Sequence, residues 1–546
     1  MLGTKLLLVF VTVAVGPAIA GYPKVTPTVG EVWPHPQMIS QEDTYMIVRP
    51  STFSFSVTGE DCDILQDALE RYADIMFRFP SSKVKNSNVR RKEDNFNGYL
   101  DTVSINLMVP CEKYPHEAMD EQYEIKIDSP DQPGKGEILA QSIWGILRGL
   151  ESFSQLLVPD RPSDDGSAYQ VKSTQIRDFP RFSYRGFMLD TSRHYLPMRK
   201  ILEHLDLMAM NKFNVFHWHL VDDQSFPYES TVFPNLSKEG AYSPLHVYSE
   251  KNISYIVEYA RLRGIRVLPE FDTPGHTMSW GPGQPDLLTP CYNGGKPDGT
   301  YGPIDPTNEA NYDFLKTLFT EITTRFPDHY IHLGGDEVSF SCWQSNPIIS
   351  QFMKAHNITG DYNKLEEVYI TKLIELVANL PTKNGYLVWQ EVFDNGVQIA
   401  NDTVVHVWKS EGVPAGWKKE LKKVTQAGYK TILSSCWYLN YISYGVDWYK
   451  YYECDPQDFD GSEAQKQLIL GGEACMWAEY VDGTNLIPRT WPRASVVAEK
   501  LWSSAAQTSS SAAASPRLEE HRCRLLDRGF RVEPLWPSFC MSDVAL

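Results

Sequence analysis

Residues 330–343, YIHLGGDEVSFSCW, set two carboxylates at the end of a short apolar run. Tyr330 to Leu333 read as a buried strand, Gly334-Gly335 as a tight turn, and Asp336-Glu337 as ionisable groups at the strand's carboxyl end. Sheets of α/β proteins site their chemistry at that end. Neighbouring carboxylates repel, so burial together pushes their pKa values apart and can leave one protonated near neutral pH. That arrangement suits a general acid beside an ionised stabiliser. The same two residues could instead cap the first turn of a helix. The surrounding chain decides between these readings.

On either side of this stretch, strand and helix patterns alternate. Strands are expected near 183–190, 213–221, 264–271, 330–335, 386–391, 404–408, 431–439 and 469–477. Helical spacing separates most of them, as in Arg199–Met210, Ser249–Arg263, Tyr312–Arg325 and Lys364–Ala378. Eight strands with mostly helical crossovers predict an α/β fold, a (β/α)₈ TIM barrel, over residues 176–546. The link between the fifth and sixth strands is short, and Ser503–Ser515 is a Ser/Ala tract that reads as a loop or helix end.

Residues 21–175 read as a smaller α+β domain with an antiparallel sheet. Ser51–Val57 and Thr102–Val109 alternate as strands, while Cys62–Phe77 and Glu137–Leu157 carry helical spacing. Trp144 reads as core. Ahead of this domain, Lys5, an apolar run from Leu6 to about Gly16, and Ala18-Ile-Ala20 form a signal-peptide pattern over residues 1–20. The run is too short to span a membrane. An exported chain agrees with four glycosylation sequons, at Asn235, Asn252, Asn357 and Asn401. Nine cysteines then suggest disulfides with at least one thiol left over, and spacing alone does not pair them. A formal net charge of -18 at pH 7 argues against nucleic acid or an anionic membrane as partner.

A barrel gathers functional side chains just after its strands. Here those ends carry Asp190 with Arg193, Asp222-Asp223, Glu270 with Asp272 and His276, Asp336-Glu337, Trp389 with Glu391, Trp408, Tyr438, and Trp477 with Glu479. Three tryptophans and a tyrosine among carboxylates and an arginine suit a sugar, whose ring faces stack while its hydroxyls bond to charged groups. A rival use of the same end is a metal: His217 and His219 lie two apart on one strand, with His276, His332 and His406 to complete a ligand set. A second rival is a sugar-binding protein without catalysis.

A glycosidase with two catalytic carboxyl groups holds them roughly 5 to 9.5 Å apart, across the scissile bond. Asp336 and Glu337, adjacent in sequence, do not easily straddle a ring. The nucleophile therefore comes from another strand or from the substrate, whose 2-acetamido group can attack its own anomeric carbon. Trp389, Trp408, Trp477 and the Tyr438 hydroxyl would fit such an amide.

The segments LDTSRHYLP (189–197), FHWHLVDDQSFPYES (216–230), GIRVLPEFDTPGHTMSWGPG (264–283), HLGGDEVSFSCW (332–343), VWQEVFDN (388–395), WYLNYISYG (437–445) and GGEACMWAEYVDGTNLIPRTWPRA (471–494) resemble the β-N-acetylhexosaminidases of glycoside hydrolase family 20. IWGILRGLESFSQL (143–156) resembles that family's small amino-terminal domain. The likeness is greatest to the animal lysosomal alpha and beta subunits, and nearer alpha. It implies an exo-acting enzyme that removes terminal N-acetylglucosamine or N-acetylgalactosamine from glycoprotein glycans, glycolipids or glycosaminoglycan fragments. It also implies a homodimer or heterodimer, in the lysosome or secreted, with neither cofactor nor metal.

By the same resemblance Glu337 would be the acid and base, and Asp336 would orient the acetamide and stabilise an oxazolinium intermediate. Tyr438 would donate to the acetamido oxygen inside a pocket of Trp389, Trp408 and Trp477. Arg193 and Glu479 would grip the terminal sugar, with Asp222 and His276 supporting the acid. The implied disulfides are Cys62–Cys111, Cys291–Cys342 and Cys523–Cys540, which leaves Cys436, Cys454 and Cys475 outside the scheme. At Asn440-Tyr441 the chain departs from the family: alpha-like subunits carry Asn-Arg there and beta-like ones Asp-Leu. A preference for neutral over sulfated sugars is expected, because Tyr441 lacks the attracting charge.

Overall fold

A computed structural model describes residues 25–78, 95–160, 168–410, 415–443 and 445–540. The signal-peptide pattern lies outside these residues. Eight parallel strands close into a barrel: β1 (Tyr184–Asp190), β2 (Val215–Val221), β3 (Arg266–Phe271), β4 (Tyr330–His332), β5 (Gly385–Trp389), β6 (Val404–Val407), β7 (Lys430–Leu433) and β8 (Ile469–Met476). Residues on both faces of these strands are buried, by helices outside and side-chain layers inside, which accounts for their continuous apolar runs.

Several strands are trimmed by a residue or two, with Gln390 and Glu391 passing from the fifth strand to a helix, and two stop three or more residues before their expected ends. β4 stops at His332 because Gly334 and Gly335 adopt φ of +69° and +96°, a turn that only glycine makes without strain. A Cβ at Gly334 would fall 1.7 Å from Asp272 Oδ1, so a side chain has no room there. β7 stops at Leu433, where Trp437 N–H turns back onto the Ser434 carbonyl. The short link after β5 holds only the helix Gln390–Asp394.

Before the barrel lies an eight-stranded sheet, and it is mixed, not purely antiparallel. Its central pairs, formed by Gln132–Ala140, Tyr123–Ser129, Tyr169–Asp178 and Met38–Val48, run antiparallel. Ser54–Val57, Thr102–Leu107 and Gln132–Ala140 pair in parallel, as do Met38–Val48 and Phe96–Tyr99. The helix expected from Glu137 starts only at Ile143. Glu137 belongs to a strand, and the Ser142 hydroxyl accepts from the Trp144 and Gly145 amides to open the helix.

All fourteen residues of Ile143–Leu156 are buried, polar ones included. Arg148 donates to Glu121 at 2.8 Å and to the Gly264 carbonyl at 2.9 Å, while Arg185 of β1 reaches Glu121 at 2.6 Å. Glu121 thus joins the sheet to the barrel. Removing one arginine would leave a buried carboxylate underpaired, which costs about 3–5 kcal/mol.

Disulfides join Cys62–Cys111, Cys291–Cys342, Cys436–Cys454 and Cys523–Cys540. Cys436 and Cys454, which the resemblance leaves without assignment, therefore pair, and Cys475 is a buried free thiol. Cys291 lies in a hairpin (Leu288–Asn293 with Lys296–Ile304) that reaches back to the segment just beyond Glu337. Asn235, Asn357 and Asn401 are exposed. Asn252 is half-buried, with its side-chain oxygen accepting from the Ser249 amide and its nitrogen 3.5 Å from Met198 Sδ. Among the described residues, no helix is long and apolar enough to cross a membrane.

Candidate active site

Each barrel strand delivers one part of a single cluster. Arg193 follows β1, Asp222 β2, His276 β3, Asp336 and Glu337 β4, Trp408 β6 and Tyr438 β7. Trp389 ends β5, and Trp477 follows β8 directly, with Glu479 two residues on.

Its apolar part is a separate small core. Trp389, Trp477, Met188 and Cys475 are buried together, with Trp408 and Tyr438 packed against them half-buried. The Trp389 and Trp477 rings stand 6.1 Å apart at 40°. Burial pushes the Tyr438 hydroxyl well above its ordinary pKa, so it keeps a proton to donate. Trp389 Nε1 donates to Glu270 Oε1 at 2.7 Å, which fixes the ring plane. Tyr441 is 67% exposed and stacks on Tyr438, with centroids 5.8 Å apart at 24°. Asn440 is half-buried; its carbonyl accepts from Arg489, and its side-chain oxygen is buried without a hydrogen-bond partner.

The charged part is ordered by alternation of sign. Asp222 Oδ2 lies 2.9 Å from the Arg193 guanidinium and 2.8 Å from His219 Nε2, and its Oδ1 lies 3.1 Å from His276 Nδ1. His276 Nε2 then stands 3.8 Å from Asp336 Oδ2 and 3.7 Å from Glu337 Oε2. Burial alone would lower the His276 pKa, but the bond to Asp222 and the charges of Asp336 and Asp222 raise it to about 9. Glu337 is pushed up by burial and then by the like charge of Asp336. Arg193 sits over the Trp477 ring at 4.8 Å; burial opposes its charge, but Asp190, Asp222 and Glu479 outweigh that and hold it charged.

Behind Asp222 the alternation continues into the barrel. His219 Nδ1 meets Glu270 Oε2 at 2.6 Å, His217 Nε2 lies 3.0 Å from the same oxygen, and His217 Nδ1 meets Glu473 Oε1 at 2.8 Å. Glu473 also accepts from the Tyr184 hydroxyl at 2.6 Å. Burial alone would neutralise both imidazoles, but their carboxylate neighbours raise His217 to about 9 and His219 to about 10. Clusters such as His217, Glu270 and His332 bring ligand atoms within 4.8 Å of one another. Both nitrogens of His217 and of His219, however, already face carboxylates. These histidines read as ion-pair partners in the ladder.

The acid-bearing loop is held from two sides. Gly335 N–H donates to Asp272 Oδ1 at 2.8 Å, and Glu337 N–H donates to Glu391 Oε2 at 2.6 Å. Burial and the charges of Asp336 and Glu270 push Asp272 well above the ordinary carboxylate range. Glu270, Asp272 and Glu391 stand at strand ends in the sequence, but neither motif nor resemblance assigns them to the site. For His219 the sequence leaves two readings, a metal ligand or a packed core or supporting histidine, and the family resemblance favours the second. Their signal was the interval between them: two residues along one strand point the same way, so His217 and His219 had to share the barrel interior.

Residues 182–505 match the catalytic domain of glycosyl hydrolase family 20. The chain belongs to this family. It is accordingly a glycoside hydrolase of the β-hexosaminidase type. Residues 32–156 match a domain described as beta-acetyl hexosaminidase like. The β-hexosaminidase subunit alpha of Bos taurus is 48% identical over 516 residues, 93% of this chain and 94% of that protein. Subunit beta of Mus musculus is also 48% identical, over 93% of this chain and 92% of that protein, so identity alone does not separate the two types. Among solved structures, the Flavobacterium johnsoniae chitobiase superposes with a TM-score of 0.77 at 30% identity, covering 91% of this chain and 73% of that one. This family 20 chain is therefore similar to its relatives in both the barrel and the preceding sheet.

Proposed function

We propose that the chain removes terminal non-reducing N-acetylglucosamine or N-acetylgalactosamine from glycoconjugates, with retention, using the substrate's own acetamido oxygen as nucleophile. One observation carries this reading. Asp336 and Glu337 approach the same His276 nitrogen and so stand on one side of the site, next to a pocket of three tryptophans and a tyrosine hydroxyl. A carboxylate pair that must straddle the scissile bond is not formed by these two.

In this account Glu337 is half in solvent, at 59% side-chain exposure, where it can reach a glycosidic oxygen as acid and a water as base. Asp336, 7% exposed beside a charged His276, orients the acetamide and offsets the oxazolinium charge. Tyr438 donates to the acetamido oxygen while Trp389, Trp408 and Trp477 enclose the methyl group. Arg193 and Glu479 bind the hydroxyls of the last sugar, which makes the action exo. Asp222 and His276 hold the acid in place.

The two units 21–175 and 176–546 serve as scaffold and catalytic domain. Relatives named as alpha and beta subunits support assembly as a homodimer or heterodimer. Sequons at Asn235, Asn357 and Asn401 on exposed backbone support glycosylation and a lysosomal or secreted fate. The test is turnover by the purified protein. Chromogenic N-acetylglucosaminides and N-acetylgalactosaminides should be cleaved, and an oligosaccharide blocked at its non-reducing end should not. Cleavage of the blocked chain, or no cleavage at all, would refute the assignment.

A further inference from the structure

Glu337 has φ of +52°, a left-handed conformation unusual for a residue with a side chain. Such a backbone persists only where its surroundings over-determine it. The Gly334-Gly335 turn supplies freedom just upstream and cannot itself fix the acid. The fixing contact comes from the next strand: Glu337 N–H donates to Glu391 Oε2 at 2.6 Å.

Glu391 is in turn held by its other oxygen, 2.8 Å from Lys409 Nζ, and its side chain is only 15% exposed. Lys409 follows Trp408 after β6, and its second acidic neighbour is Asp394 at 3.8 Å. The amides of Trp408 and Lys409 both donate to Gln390 Oε1, at 3.1 and 2.8 Å. The loops after β4, β5 and β6 are thus tied in sequence, from acid to Trp408. Among the described residues, the ion pair with Lys409 is the one charged bond of Glu391.

We propose that Glu391 is a positioning residue for the general acid, with Lys409 as the counter-ion that orients it. A carboxylate fixed at both oxygens sets the Glu337 backbone, and hence the reach of its side chain to the leaving-group oxygen. This rests on reading Glu337 as the acid, so the experiment includes a variant of Glu337 itself.

The measurement is kcat/KM for a series of aryl N-acetylglucosaminides whose leaving groups differ in acidity, on the full-length wild type, Glu337→Gln, Glu391→Ala and Glu391→Gln. Misplacing a catalytic group by about 1 Å can cost 10²-fold. Glu391→Ala should therefore lose on the order of 100-fold with the least acidic phenol, by the same principle, and far less with a dinitrophenol. Its slope against leaving-group acidity should steepen towards that of Glu337→Gln, and inhibition by N-acetylglucosamine should stay unchanged. Glu391→Gln, which can still accept at one oxygen, should fall between wild type and alanine. A wild-type slope in Glu391→Ala beside a steep one in Glu337→Gln overturns the proposal. A wild-type slope in Glu337→Gln overturns the reading of the acid as well. Should Glu391→Ala fail to fold, Lys409→Met reads the clamp from its other end: a steeper slope supports it and an unchanged one overturns it.

Discussion

His276 places one imidazole nitrogen between the two carboxylates of the acid pair, 3.8 Å from Asp336 Oδ2 and 3.7 Å from Glu337 Oε2. Its other nitrogen is anchored 3.1 Å from Asp222. The charge on this ring and the charge on Asp336 act on Glu337 in opposite directions.

That opposition sets a paired prediction for the pH profile. Glu337 must be protonated to donate, so activity falls on the alkaline side as it ionises. Asp336 raises its pKa and His276 lowers it. Asp336→Asn should therefore move the alkaline limb of kcat/KM to lower pH, and His276→Gln should move it to higher pH. Both should also lose turnover, Asp336→Asn by about 10² or more, because an interaction made only in the transition state is gone. Limbs that shift the same way in both variants would contradict this electrostatic arrangement.

Specificity at the rim is a separate prediction. Tyr441 is exposed and stacked on Tyr438, and Asn440 carries no charge. Sugars without a sulfate should be preferred, with sulfated ones tolerated. Tyr441→Arg should raise the sulfated-to-neutral ratio of kcat/KM, since a charge-assisted bond is roughly twice as strong as a neutral one. Asn440→Asp should lower that ratio. If neither substitution changes it, these residues do not face the charged substituent.

Stability should also depend on pH away from the site. Glu366 is fully buried, accepts from Asn395 at 3.2 and 3.0 Å, and is pushed up to about 7 by burial. A carboxyl whose folded pKa is raised stabilises the fold while it is protonated in both states. That contribution is complete below the unfolded value near 4.5 and is lost as pH rises through about 7. The difference corresponds to roughly 3 kcal/mol. Glu366→Gln should thus raise the melting temperature at pH 8 and leave it nearly unchanged at pH 4. Equal effects at both pH values would sink this assignment.

Much of the barrel was legible because each strand is an apolar run closed by a turn or a polar cluster, and the crossovers keep helical spacing. Strand ends were legible less well. The extension of β4 past His332 and of β7 past Leu433 was not resolved by composition, since glycine and serine there permit a strand as readily as a turn. In the small domain the spacing of Ile138, Leu139 and Ile143 suits a helix too, and only the cap at Ser142 and the pairing of Gln132–Ala140 separate strand from helix. Of the polar ladder, the shared interior of His217 and His219 was legible, but its pairings were not. Which carboxylate meets His217 or His219 depends on how β2, β3 and β8 are aligned when the barrel closes, and a linear pattern holds no such register. The bond from Glu391 to the Glu337 amide was hidden for the same reason.

The central claim is that the substrate's acetamido oxygen, and no side chain, attacks the anomeric carbon. It is tested most directly by kcat/KM for aryl glycosides whose 2-acetamido methyl carries zero, one, two or three fluorines, with a 2-hydroxyl analogue as the limit. Fluorine withdraws electron density from the oxygen that must attack. The account predicts a steep, monotonic fall across the series and no detectable turnover of the 2-hydroxyl sugar. Rates independent of fluorination, or a sugar ester trapped on Asp336, Glu337 or any other carboxylate, would contradict it.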